Sequence, residues 1–213
     1  MNKQTLVLGL ALNLVSLSAF AMGPQSPSGP SSKRPAGYEY VDPKNVVPVK
    51  ALTLALEGFD ARRKWLRNLN YLTVIDYTQH SKNRRFYLID MRSGSVSTQV
   101  VSHGSGSDSN HDGYAERFSN VEGSKATSLG FYETKGTYQG SNGYSLILSG
   151  LNSSNSNAQE RAIVIHGADY VKDGNPKQGR SSGCPALPHS VTSTIIDKIK
   201  NGSLIFAFHQ NHF

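Results

Sequence analysis

The sequence predicts a mostly β single domain, a sandwich or barrel with peripheral helices. Three observations carry that reading. Six short β-branched or aromatic runs, "YLTVIDY", "RRFYLIDM", "SVSTQVVSHG", "YSLILSGL", "RAIVIHGA" and "SLIFAFHQ", are separated by turn residues. Only two segments repeat apolar residues at helical spacing, one early and one late. A chain of 213 residues is also of a size for one hydrophobic core.

In chain order, residues 1–21 form the first unit. Lys3 gives a basic start, an apolar run begins at Leu6, and Ala19-Phe20-Ala21 supplies a small-x-small cleavage site. This is a signal peptide, too short and wrongly flanked for a stable membrane anchor. Residues 22–48, rich in Pro, Ser, Gly and Lys, read as a flexible lead-in. The folded domain then spans 49–213. It opens with a helix over 49–67, whose Leu52, Leu56, Phe59 and Leu66 share a face and which Gly58 weakens. "DMRSGS" is a hairpin turn and "YQGSNGY" a loop between strands. The second helix is "HSVTSTIIDKIKNG", capped near Ser190, stopped near Gly202, and apolar at Ile195, Ile196 and Ile199.

Composition narrows the function. The net charge of +7 suits an anionic neighbourhood such as a wall polymer or a membrane surface. No aromatic-basic periodicity points to nucleic acid. No stretch beyond the leader is long and apolar enough to span a membrane, so an exported domain is expected. "DSNHDG" matches the first half of an EF-hand loop, but Ser119 stands where the closing Glu is needed, and Asp, Asn and Gly also favour turns. Among His103, His111, His166, His209, His212 and Cys184, the one short spacing, His209–His212 in "HQNH", lies at the very C-terminus and reads as a tail rather than a zinc site. No metal and no cofactor is expected.

Cys184 is the only cysteine, so it cannot form an internal disulfide. It is either a buried small apolar residue or a nucleophile. "AIVIHG" ends a strand at His166, and "SSGC" follows, with Gly167 and Ser181 fourteen positions apart. An imidazole can take a thiol's proton, and the Gly183 and Cys184 amides are candidate oxyanion donors. A papain-like arrangement would need a helix starting at the cysteine and a later histidine. Pro185, Pro188 and the upstream His166 argue against it.

These motifs resemble the signature of the L,D-transpeptidase catalytic domain (YkuD type), in a murein L,D-transpeptidase-like subfamily. "VVSHGSG", "KATSLGFYETKGTY" and "GYSLILSGLNSSNSNAQERAIVIHGADYV" extend the likeness from about Leu52 to Phe208. The resemblance implies an L,D-transpeptidase-type β-sandwich or barrel with an N-terminal helix and a short helix after the cysteine. It makes Cys184 the nucleophile, His166 its base, Gly183 and Cys184 the oxyanion hole, and Ser181 the residue that helps orient the histidine. His103, Ser182, Gly167 and Arg180 are expected to contact substrate. Ser182 and Ala186 depart from the usual His and Asn or Arg, which bears on substrate preference. The implied chemistry is acyl exchange on peptidoglycan stem peptides by a monomer in the periplasm or cell wall. An L,D-carboxypeptidase and a non-catalytic wall-binding module stay open as alternatives.

Overall fold

The computed structural model describes Met1 and residues 34–213. The expected leader beyond Met1, and residues 22–33 of the lead-in, lie outside the described residues. Helix α1 (Val49–Arg62) is followed by strands β1 (Tyr71–Asp76), β2 (Phe86–Asp90), β3 (Val96–Gln99), β4 (Gly130–Gly140), β5 (Gly143–Gly150), β6 (Val164–Gly167) and β7 (Ala186–Leu187), then helix α2 (His189–Ile199) and strand β8 (Leu204–Phe208). The strands form one sheet in the order β3-β2-β1-β8-β4-β5-β6-β7. The β1–β8 and β6–β7 pairs are parallel and the others antiparallel.

The alternation of β8 explains why two helices flank the sheet. Leu204, Phe206 and Phe208 pack with Leu52, Leu56 and Phe59 of α1. Ile205 and Ala207 point to the other face, among Ile195, Ile196 and Ile199 of α2. The sheet also nearly closes into a barrel. Beyond β3 the chain reaches the far edge, where Ser102 N donates to Ala186 O at 3.0 Å and Ser181 N to His103 O at 2.9 Å.

Several boundaries differ from the sequence expectation. Helix α1 ends at Arg62 rather than 67, because the chain tightens into turns there. Asn68 N is then tied to Gly202 O, and Leu66 is still buried. Helix α2 has Pro188, not Ser190, at its N-cap, with ψ 136° outside the helical region and no side-chain cap. The lead-in is packed from Tyr38 onward: Tyr38, Val41 and Val47 are buried, and the Asp42 carboxylate accepts from the Val46 and Val47 amides. Strand β4 is long but has an exposed, polar outer half, so its sequence lacks an apolar run.

Candidate active site

Strand β6 delivers His166 to the sheet edge, where it lies opposite Ala186 of β7. Two residues before β7, Cys184 lies beside Val164 of β6, whose amide donates to Cys184 Sγ at 3.5 Å. The sulfur is thus held against Val164, two residues ahead of His166 on β6. The thiol is half-buried and its hydrogen faces the Ala162 carbonyl at 3.6 Å. Among the described residues, Val164 N and Ala162 O are its hydrogen-bond partners.

His166 is buried, with Nδ1 lying 2.9 Å from the Gly167 carbonyl. A carbonyl can only accept, so Nδ1 carries the proton and Nε2 keeps its lone pair. Burial lowers the imidazole pKa below its ordinary 6.5; the Gly167 hydrogen bond opposes this, and nearby His189 adds to it. Burial likewise raises the Cys184 thiol above its ordinary 9.0, against the Val164 amide and the Arg161 charge. Near neutral pH the pair is thus a thiol and a neutral base, not an ion pair.

Ser181 closes the turn that carries the cysteine. Its hydroxyl donates to the Cys184 carbonyl at 2.6 Å and accepts from the Gly183 amide at 3.0 Å. The Gly183 amide, expected to face an oxyanion, is therefore already occupied. Among the described residues the Cys184 amide donates to no protein acceptor, and it is the donor left for that role. Gly183 itself has φ 123°, and a Cβ there would lie 2.8 Å from the Ala126 carbonyl. Only glycine makes this turn without strain.

A family model described as the L,D-transpeptidase catalytic domain matches residues 43–208. The chain belongs to this family. Solved structures similar to it include the helical cell shape determining protein Pgp2 from Campylobacter jejuni, at 13% identity and TM-score 0.44, covering 68% of this chain and 49% of that one. Another is L,D-transpeptidase 1 from Mycobacterium tuberculosis, at 14% identity and TM-score 0.37, covering 65% and 61%. A third is an L,D-transpeptidase from Mycobacterium smegmatis, at 13% identity and TM-score 0.40, covering 65% and 58%. The chain thus spans about half the length of the Pgp2 chain it matches. No curated protein matches it in sequence.

Within this L,D-transpeptidase domain the other expected contacts separate. His103 does not line a cleft: it is buried, Arg85 Nη2 donates to its Nδ1 at 2.7 Å, and its Nε2 meets Asp108 Oδ2 at 3.0 Å. A guanidinium cannot accept, so His103 is the neutral Nε2–H tautomer, and burial and Arg85 hold its pKa down at about 4. Its backbone carbonyl accepts from the Ser181 amide. Arg180 is half-buried and donates to the Asp108 carbonyl. Ser182 is exposed. Gly167 lies under the His189 ring, where a Cβ would come within 2.4 Å, and beside a cleft of about 510 Å³ lined also by Tyr144, Tyr170 and Thr192. "DSNHDG" is a turn: the Asp108 carboxylate accepts from the Asp112 and Gly113 amides.

Two residues at the site were missed from sequence. Arg161 donates to the Ala126 and Ser119 carbonyls, and its charge favours the thiolate. Ser102 Oγ bridges the Cys184 carbonyl and the Ala186 amide. Arg161 heads a quoted strand run and Ser102 adjoins His103, but their partners are far along the chain and no spacing marks either one.

Proposed function

We propose that this domain is a cysteine L,D-transpeptidase acting on peptidoglycan tetrapeptide stems through a thioester. The observation that supports this best is Cys184 Sγ held at the Val164 amide, two residues before His166 on β6, with Nδ1 of that imidazole committed to the Gly167 carbonyl. That hydrogen bond leaves Nε2 to act as base. In this reading the thiol rotates from the Ala162 carbonyl toward Nε2 and gives up its proton as sulfur attacks the carbonyl on the L-centre of the diamino acid. The oxyanion forms near the Cys184 amide. Collapse expels the terminal D-residue, whose amine takes the proton from the imidazolium. An amine of a second stem then attacks the thioester, giving a 3→3 cross-link and regenerating the thiol.

The same steps with water as acceptor make an L,D-carboxypeptidase, and the choice lies in who reaches the thioester. Export to the periplasm or wall belongs to this reading, as do Cys184, His166 and Ser181 in the roles above. Incubation with purified disaccharide-tetrapeptide, followed by mass spectrometry, tests it. A dimer lacking one D-residue is expected, and loss of one D-residue without dimer assigns the carboxypeptidase. An unchanged substrate from folded protein with a free thiol would instead leave a wall-binding module.

A further inference from the structure

The chain's only tryptophan, Trp65, lies 74% exposed in the turn that follows α1. Burying Leu66 in the core throws its neighbour Trp65 outward, between the exposed cations Arg63, Lys64 and Arg67. This turn is fastened to the C-terminal end of α2. Asn68 Nδ2 donates to the Lys198 carbonyl at 2.8 Å and to the Lys200 carbonyl at 3.1 Å, and Arg67 packs against Gly202. The same corner includes a bulge in β4 between Thr134 and Thr137, through Asn201 N to Lys135 O at 3.1 Å. Lys135 and Lys200 pair with Glu133 and Asp197, whereas Arg63, Lys64, Arg67 and Lys198 form no salt bridge among the described residues.

We propose that this corner docks on the anionic headgroup surface of a phospholipid bilayer, with the Trp65 indole entering the interface. A soluble polyanion would satisfy the cations and leave the indole in water. A bilayer offers phosphates to the cations and an apolar layer to the ring, the pairing that interfacial tryptophans with basic neighbours use. Helix α2 begins at the cleft with His189 and ends at this corner, so its 11 residues separate the two by about 16 Å. The inference does not depend on the enzymatic reading.

The test is fluorescence of the full chain titrated with vesicles. The leader has no tryptophan, so emission reports Trp65 alone. Vesicles of phosphatidylcholine with one quarter phosphatidylglycerol should shift the emission to the blue, brominated acyl chains should quench it, and high salt should reverse both. Each basic side chain near an anionic surface contributes about fivefold to partitioning, so Arg63→Gln/Lys64→Gln/Arg67→Gln should bind about a hundredfold more weakly. These side chains are exposed, so its melting temperature should stay within about 2 °C of the parent's; Lys198→Gln is a second, milder variant and should bind about fivefold more weakly. No shift with anionic vesicles overturns the proposal. So does an equal shift with pure phosphatidylcholine, a shift with soluble polyphosphate but not vesicles, or unchanged binding by the triple variant.

Discussion

His103 sits between two full charges in the core, Arg85 on one nitrogen and Asp108 on the other, and all three residues are buried. The linkage sign follows from its pKa of about 4, below the ordinary 6.5. The unfolded chain takes up the proton first, so stability is fully present above pH 6.5 and is lost as pH falls toward 4. The loss amounts to about 3 kcal/mol from this one group. Urea unfolding at pH 7 and pH 4.5 should show it. His103→Asn, whose amide can both accept from Arg85 and donate to Asp108, should lose markedly less over the same interval. His103→Leu leaves a buried guanidinium and carboxylate each short of a partner, and should cost about 3–5 kcal/mol at pH 7. Equal pH slopes in the parent and the Asn variant would contradict the lowered pKa of His103. This residue also marks where sequence reading stops. Cys184 and His166 could be proposed from sequence because their chemistry restricts residue type and their motifs follow in order. His103 reads as a strand end too, yet it lies four residues beyond β3, and its direction is decided by Arg85, eighteen positions away, which no local pattern reveals.

At the scale of elements, the same contrast appears in helix α1. Its apolar face was readable from spacing, and Leu52, Leu56 and Phe59 are indeed buried. Gly58 reads as a weakness by propensity alone. In the fold it is the gap into which the Phe131 ring fits, with that ring stacked on Phe206 at 4.3 Å and covered by Arg62 at 4.3 Å. Gly58→Ala therefore sets two effects against each other. Helix propensity favours alanine by about 1 kcal/mol, while a Cβ only 2.1 Å from Phe131 Cζ forces overpacking worth about 1–3 kcal/mol. With the ring held on both sides, overpacking should win, and thermal melting should show a net loss. A variant more stable than the parent would mean the ring moves freely. Strand β4 was not read as a strand for a related reason. Its inner half alternates, but its outer half leaves the sheet's shelter and carries polar residues.

Across the whole molecule, closure of the sheet is what joins the distant parts of the site. The segment after β3 brings Ser102 and the His103 carbonyl against the turn of Ser181–Cys184, and β6 brings His166 to the adjoining strand. Mostly β architecture and flanking helices were visible in the sequence. Closure was not, since it depends on hydrogen bonds between segments some eighty residues apart, such as Ser102 to Ala186. The proposed function requires the half-buried Cys184 thiol to reach both the His166 imidazole and an acyl donor. Intact-protein mass spectrometry after exposure to a carbapenem measures that most directly. A single adduct of the drug's mass, mapped to Cys184, slowed by orders of magnitude in His166→Ala and absent in Cys184→Ala, is the predicted result. Folded parent protein with a titratable free thiol and no adduct would contradict it.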